Sequence, residues 1–189
     1  YLGFPLSVSE EFQKRNTNQN INQSLYIIEE IQNMCFKNNK KLVVYISMAF
    51  GNPYAEKWHP DIVAQLVHHL SELEIKTVAL SDTVGISNTK NIKSLFTTLI
   101  QEYPGVEFGA HFHTNIETWK EKIESAYNSG CTRFDSTLKG YGGCPMAIDD
   151  LVGNMPTEKM CDFFASKGIN LNINNGALQR IVDKMSIYF

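Results

Sequence analysis

Short apolar runs alternate with longer amphipathic stretches along the whole chain. Five apolar runs end in small or polar residues, and their first residues differ by 40, 35, 30 and 26 positions. The runs are YLGFPL from Tyr1, KLVVYIS from Lys41, KTVALSD from Lys76, VEFGAHFH from Val106 and TRFDST from Thr132. Runs of this length predict buried parallel strands, because a parallel sheet is covered on both faces.

Each interval between runs contains a helical pattern. Apolar residues recur at helical spacing in HPDIVAQLVHHLSEL and in KNIKSLFTTLIQEYPG. Two further helical stretches end at Gly130 and Gly168, residues that suit the left-handed conformation after a helix. Ser7 with Glu10 fits a capping box at the start of the first helix. The chain is therefore predicted to repeat a strand–helix unit.

Two architectures use such units, an open doubly wound sheet and the (β/α)8 barrel. Polar residues at the carboxyl ends of successive runs favour the barrel, whose active sites lie there, and no Gly-x-Gly-x-x-Gly follows the first run. These polar residues are Ser47, Asp82, His111, His113 and Ser136. We predict an α/β fold, a (β/α)8 TIM barrel of which this chain supplies about five units, strands 4 to 8. Residues 1–189 would then be the C-terminal portion of one barrel domain, with its N-terminal units missing.

Composition and charge exclude several classes of protein. The chain is 43% hydrophobic and 20% charged, which is typical of a soluble globular protein. The net charge is −3 with no basic run, which disfavours a nucleic-acid partner, and no apolar stretch approaches the roughly 20 residues of a membrane span. The four cysteines form no Cys-x-x-Cys pair, so we interpret them as free thiols. Free thiols favour a cytoplasmic location, although an N-terminal targeting signal is not observable.

Three features carry candidate chemistry, and each has a plainer alternative. His111 and His113 share one face of a predicted strand, where two imidazoles can chelate a metal or simply be half-buried polar residues. Cys144 stands in a Gly-Gly-Cys-Pro loop, which is a poor core segment, so a reactive thiol and a small buried packing residue are equal alternatives. Asp82 ends a predicted strand and alternatively caps a helix in TVGIS. The stretch WKEKIE, residues 119–124, is interpreted only as a solvated helix face.

Four motifs together identify a family. YISMAFGNPY (45–54), LSDTVGIS (80–87), GAHFHT (109–114) and GYGGCPMA with GNMPTE (140–158) occur in this order. In order and spacing they resemble the hydroxymethylglutaryl-CoA lyase family, within a larger barrel group of metal-dependent lyases and acyl-transferring synthases. The Gly-Gly-Cys-Pro loop followed by Gly-Asn is more particular to the lyases than the His-x-His strand is.

The resemblance implies a reaction and a site. The implied reaction is metal-dependent cleavage of 3-hydroxy-3-methylglutaryl-CoA to acetyl-CoA and acetoacetate, with Mg²⁺ or Mn²⁺ as cofactor and an acyl-CoA as substrate. The implied metal ligands are His111, His113 and Asn154, and the implied catalytic residues are Cys144, His111 and Asp82, with Glu158 beside the site. The family's remaining ligand, an aspartate, and its substrate arginine lie on a first strand that this chain lacks. We also expect a homodimer.

Two departures from the family pattern leave alternatives open. Met48 and Asn52 stand where many relatives have cysteines, and Cys144 and Asn154 are ten positions apart, around a longer loop than in well-known lyases. A related 3-hydroxyacyl-CoA therefore remains an alternative substrate. The alternative functions are a synthase or aldolase of the same barrel group and a non-catalytic barrel relative.

Overall fold

Five parallel strands form the sheet in the order in which they occur in the chain. The computed structural model describes residues 1–143 and 152–188. The parallel strands are β1 (Leu2–Ser7), β2 (Leu42–Ser47), β3 (Thr77–Asp82), β4 (Glu107–Thr114) and β5 (Arg133–Phe134). Each coincides with one of the five predicted runs, and β1 and β4 extend one residue beyond theirs. A further short strand, β6 (Gly153–Asn154), pairs antiparallel with the end of β4.

Helices follow the strands and confirm the predicted units. They are α1 (Glu10–Thr17), α2 (Ile21–Lys37), α3 (Pro60–Glu72), α4 (Thr89–Glu102), α5 (Trp119–Asn128), α6 (Thr157–Ser166) and α7 (Asn175–Tyr188). Gly130 and Gly168 have φ of 94° and 75°, the left-handed conformation expected after α5 and α6. The predicted capping box of Ser7 with Glu10 is wrong: Ser9, which accepts a hydrogen bond from Phe12 N, caps α1, because Ser7 still belongs to β1 and Glu10 is the first residue of the helix.

The strand order identifies the architecture. Each parallel strand pairs with the next strand in sequence, from β1 to β5, without the reversal that marks a doubly wound sheet. The chain therefore supplies five consecutive βα units of a (β/α)8 barrel, as predicted. Among the described helices, none is long and apolar enough to cross a membrane.

The two faces of the sheet differ in composition. Even-numbered positions of β2, β3 and β4 form what we call the helix side, and they are buried with apolar residues of the helices. The helix side includes Val44, Ile46, Val78, Leu80, Ala110 and Phe112. Odd-numbered positions form the cleft side, which becomes polar towards the carboxyl ends of the strands. The cleft side includes Tyr45, Ser47, Ser81, His111 and His113.

Cysteine burial agrees with the interpretation of free thiols in the described part of the chain. Cys35, Cys131 and Cys161 are buried and form no disulfide. Burial raises the pKa of the Cys131 thiol to about 12, so this thiol stays protonated and packs as a small apolar side chain.

Candidate active site

The two predicted histidines lie on the cleft side near the end of β4. They are two positions apart on one strand, so their side chains point the same way, and their ring centroids are 5.7 Å apart. The side chain of His111 is 33% exposed, whereas His113 is buried. Both rings line a cleft of about 360 Å³. The histidine pair therefore converges on one cavity.

Asn154, the third predicted ligand, lies directly beside His113. The antiparallel pairing of β6 with β4 sets Asn154 opposite His113, an arrangement in which the Cβ atoms are about 4.5–5.5 Å apart. Asn154 Nδ2 donates a hydrogen bond to the Tyr141 carbonyl oxygen at 3.0 Å, while Oδ1 has no hydrogen-bond partner among the described residues. Because Asn154 also lines the cleft, the fold brings the three predicted ligands together.

Hydrogen bonds fix which nitrogen of each imidazole faces the cleft. His111 Nδ1 is 3.1 Å from Asp135 Oδ2, and His113 Nδ1 is 2.7 Å from the Thr83 carbonyl oxygen. A carboxylate and a carbonyl only accept hydrogen bonds, so in each neutral ring Nδ1 carries the proton. Nε2 then keeps its lone pair, and within residues 1–143 and 152–188 it has no hydrogen-bond partner. Metal-binding histidines commonly hold their second nitrogen in this way.

The environment of His113 keeps its ring neutral. Burial lowers the pKa of His113 below its usual value, and the neighbouring His111 lowers it further, while the Thr83 carbonyl opposes both effects. A neutral imidazole is the form that binds a metal ion.

Glycines before the Cys144 loop allow close packing against β6. Gly142 has φ of 89°, and a Cβ there would lie 3.0 Å from Asn154 Nδ2. Gly140 has φ of 69°, and a Cβ there would lie 2.7 Å from the Asn154 carbonyl oxygen. Glycine therefore fits positions 140 and 142 better than any residue with a side chain. The Tyr141 carbonyl between them accepts the hydrogen bond that orients Asn154.

Sequence reasoning missed two residues that contact His111. Asp135, just after β5, accepts its Nδ1 proton, and the ring of Tyr45 meets the His111 ring edge-on at 5.5 Å. Burial raises the pKa of Tyr45, and a hydrogen bond to Asp135 raises it further. The sequence could have indicated both residues. Tyr45 lies two positions before Ser47 on the same predicted strand and so on the same face, and Asp135 directly precedes Ser136, which was predicted to lie at the end of the next strand.

Asp82 lies on the other face of the sheet from the histidines. It is an even-numbered position paired with Phe112, and its buried Oδ2 accepts hydrogen bonds from Lys122 Nζ at 2.7 Å and from Ser87 N at 3.0 Å. The alternative interpretation as a helix cap is wrong, because α4 begins later and is capped by Asn88. Asp82 is not brought into the cleft, so its catalytic role stays a prediction without geometric support.

Lys122 corrects the interpretation of WKEKIE. The stretch was expected to be a solvated helix face, but Lys122 is 0% exposed. Its ammonium donates to Asp82 Oδ2, to the Gly85 carbonyl at 2.8 Å and to the His113 carbonyl at 3.1 Å. A charge pattern alone could not reveal this, because the acceptors come from two other segments of the chain.

The other residues implied by resemblance lie near the same loop. Glu158 Oε2 accepts a hydrogen bond from Lys139 N at 3.0 Å and so holds the turn at 138–140. Cys144, the predicted catalytic thiol, lies outside the described residues.

The donor set of the cleft suits a hard divalent cation. Two imidazole nitrogens and one amide oxygen on adjacent strands form a mixed N/O set with open positions, which fits Mg²⁺ or Mn²⁺ better than a tetrahedral structural zinc site. Among the described residues, no group of three His, Cys, Asp or Glu side chains could hold a metal ion. A metal ion held by the two described histidines would therefore also need the amide oxygen of Asn154 and further ligands from outside these residues.

Comparison with known proteins places the chain in a family. The HMGL-like family model matches residues 3–185, so the chain belongs to the HMGL-like family. The chain is 30% identical over 168 residues to hydroxymethylglutaryl-CoA lyase of Bacillus subtilis, covering 89% of this chain and 56% of that protein. It spans about half the length of the curated relatives it matches, some of which are named mitochondrial and others cytoplasmic.

Solved structures agree with the assignment. The crystal structure of the Bacillus subtilis HMG-CoA lyase superposes with a TM-score of 0.90 at 27% identity, covering 98% of this chain and 62% of that chain. The HMG-CoA lyase of Acinetobacter baumannii, in complex with coenzyme A and 3-methylmalate, superposes with a TM-score of 0.88 at 27% identity. This match covers 97% of this chain and 60% of that chain.

Proposed function

We propose that this member of the HMGL-like family carries the metal site of a carbon–carbon lyase. The proposed reaction is cleavage of 3-hydroxy-3-methylglutaryl-CoA to acetyl-CoA and acetoacetate. One observation carries the proposal: both histidines are held through Nδ1, and Asn154 through Nδ2, so that two Nε2 atoms and one Oδ1 are left for a ligand. Three separate side chains are thus oriented by their non-ligating atoms, as metal ligands usually are.

The residues have distinct roles in the proposed reaction. His111, His113 and Asn154 would hold Mg²⁺ or Mn²⁺, which when bound would polarise the hydroxyl and carboxylate oxygens of the substrate. A base takes the proton of the tertiary hydroxyl, the adjacent carbon–carbon bond breaks to give acetoacetate, and the resulting acetyl-CoA enolate gains a proton from an acid. By resemblance Cys144 is the acid for that last step, since a thiol with an ordinary pKa near 8.5 is largely protonated at neutral pH.

Two substitutions in the cleft test the metal site. His111→Ala and His113→Ala, each made in the natural full-length protein, should abolish tight Mn²⁺ binding and turnover together. Calorimetric titration with Mn²⁺ measures the first effect and release of acetyl-CoA the second. His69→Ala, on the exposed face of α3, is the matched control. Unchanged Mn²⁺ affinity in both cleft variants would contradict the ligand assignment.

A thiol substitution tests the proposed acid. Cys144→Ser should keep the fold and the Mn²⁺ affinity but lose most turnover, because a hydroxyl is a far weaker acid than a thiol. Near-normal cleavage by this variant would assign Cys144 to packing. Cys161→Ser, at a buried thiol of α6 away from the cleft, controls for loss of a sulfur atom.

We further propose that residues 1–189 supply the C-terminal five units of one barrel domain, in a cytoplasmic homodimeric enzyme that takes an acyl-CoA substrate. Support comes from the five sequential strands and from the spans of the relatives, which are longer than this chain. Because three units of a barrel lie outside these five, we expect the 189 residues alone to lack turnover. A fully active 189-residue chain would disprove the domain assignment. Analytical ultracentrifugation of the active protein tests the homodimer, and a monomer would contradict it.

A further inference from the structure

Lys122 is a fully buried cation that the proposed reaction does not use. Its side chain runs from α5 to the ends of β3 and β4, where the ammonium meets three oxygen atoms at 2.7, 2.8 and 3.1 Å. An ammonium has three protons to donate, so each proton has an acceptor. A buried charge requires such partners, and here atoms of two other segments supply them, residues 82–85 and His113.

The three acceptors show which parts of the chain Lys122 joins. Asp82 Oδ2 ends β3, the Gly85 carbonyl lies in the following loop, and the His113 carbonyl lies near the end of β4. Lys122 therefore fixes residues 82–85 against the backbone of His113. This connection is made on the helix side of the sheet.

A second connection joins the same two segments on the cleft side. The Thr83 carbonyl accepts the Nδ1 proton of His113 at 2.7 Å, and Thr83 follows Asp82 directly. The hydrogen bond that orients His113 therefore depends on the position of residue 83 relative to β4. Lys122 contacts both segments from the opposite face.

We infer that Lys122 is a positioning residue of the metal site and that Asp82 acts through it. The ammonium holds the β3 end and the β4 backbone in register, so that the Thr83 carbonyl meets His113 Nδ1 and Nε2 faces the cleft. The inference rests on the proposed metal site. It assigns Asp82 to the support of the site and gives it no contact with the substrate.

The test must separate positioning from stability. Lys122→Met alone leaves the Asp82 carboxylate buried without its cation, so the chain is expected to lose much of its stability. Lys122→Met combined with Asp82→Asn removes both charges and should restore a folded chain. The matched control is Lys167→Met with Glu124→Gln, which removes an ion pair between exposed side chains, one of them also on α5.

The measurements are made on the natural full-length protein with Mn²⁺ as the probe. We expect the Lys122→Met/Asp82→Asn protein to melt cooperatively yet to bind Mn²⁺ about 10- to 100-fold more weakly, the range for lost support of a metal ligand. The ¹⁵N signals of the His113 ring should show a mixture of tautomers in place of protonated Nδ1. The control pair should leave both the Mn²⁺ affinity and the ring signals unchanged.

Three outcomes decide between the proposals. A folded Lys122→Met/Asp82→Asn protein with unchanged Mn²⁺ affinity and ring signals would overturn the inference alone. Absence of Mn²⁺ binding by the unsubstituted protein would overturn the proposed metal site and the inference with it. If the double variant does not fold, Lys122→Gln with Asp82→Asn retains amide donors for the two carbonyls. That protein should bind Mn²⁺ within a few-fold of the unsubstituted one, and a loss equal to that of His113→Ala would contradict the inference.

Discussion

The two faces of the β3–β4 strand pair use their polar side chains in different ways. On the helix side, the Lys122 ammonium has an acceptor for each of its three protons. On the cleft side, His111 and His113 use one ring nitrogen each and leave the other without a partner among the described residues. Residues next to each other in the chain, such as Phe112 and His113, belong to different faces.

The difference separates groups that hold the fold from groups that are available to a ligand. A buried polar group without a partner costs stability, so a folded chain keeps few of them. Among the described side chains of β3 and β4, the buried atoms without a partner are Ser81 Oγ and Asp82 Oδ1 and not the histidine nitrogens, so both Nε2 atoms stay accessible to a ligand. Substitutions on the helix side should therefore change stability first, and substitutions on the cleft side should change binding first.

The largest expected effect is the loss of stability in Lys122→Met. Removing one partner of a buried ion pair leaves the Asp82 carboxylate unpaired, which costs about 3–5 kcal/mol. Urea denaturation of the two proteins at neutral pH measures the difference in the free energy of unfolding. Lys167→Met, in a pair whose side chains are 38% and 40% exposed, should change it by less than about 1 kcal/mol. If Lys122→Met lowered the free energy of unfolding by less than about 1 kcal/mol, the proposed difference in stability between helix-side and cleft-side substitutions would be wrong.

Asp135→Ala should weaken Mn²⁺ binding with little change in stability. Asp135 orients His111 through Nδ1, and loss of such a partner typically weakens metal binding about 10- to 100-fold. Its side chain is 28% exposed, so the free energy of unfolding should fall by about 1 kcal/mol or less. Calorimetric titration measures the Mn²⁺ affinity, and thermal unfolding measures the stability. Asp162→Ala, on the exposed face of α6, is the control, and a large loss of stability with intact binding would contradict the assignment.

Gly142→Ala should displace the Asn154 side chain, because Gly142 packs directly against it. A side chain at φ of 89° is strained, by about 1–2 kcal/mol, and its Cβ would press on Asn154 Nδ2 at 3.0 Å. We expect a lower melting temperature and a Mn²⁺ affinity reduced by several-fold. Gly105→Ala is the matched control, because a Cβ at Gly105 would meet nothing within 4 Å. Equal behaviour of the two variants would show that the turn does not orient Asn154.

The smallest effect concerns pH. Burial lowers the pKa of His113 in the folded chain, whereas the unfolded chain keeps the usual value near 6.5. Between the lowered pKa and about 6.5 the unfolded state binds more protons, so stability decreases as the pH falls below about 6.5. One proton contributes at most about 1.4 kcal/mol per pH unit. In metal-free protein, His113→Gln should reduce the dependence of the free energy of unfolding on pH, whereas His69→Gln should leave it unchanged. Urea denaturation at several pH values measures this dependence. The same dependence in His113→Gln as in the unsubstituted protein would contradict a buried, neutral His113.

The periodicity of the sequence predicted the fold well because the strands repeat a simple pattern. Runs such as KTVALSD end in polar residues, and the helix between Pro60 and Glu72 shows one apolar stripe. The errors were local. Ser9 caps the first helix where Ser7 was expected, because a strand and a helix meet there and either serine could serve as the cap.

The candidate site was predicted only in part. His111, His113 and Asn154 were named, the first two from their spacing and the third from resemblance, and they do lie together at the end of β4. Asp135 was missed although it directly precedes Ser136, and Lys122 was missed because its acceptors lie in two other segments of the chain. No pattern within their own segments distinguishes a lysine that is buried from one that is solvated.

The sequence by itself determined the order of strands and helices and the strand that carries the histidine pair, because alternation and helical spacing are local properties of the chain. Tertiary structure alone decided that Asp82 faces the helices while His113 faces the cleft, and that Lys122 connects their strands. The physical reason is that the register between neighbouring strands, and the burial of a charge among distant acceptors, depend on contacts between segments far apart in the chain.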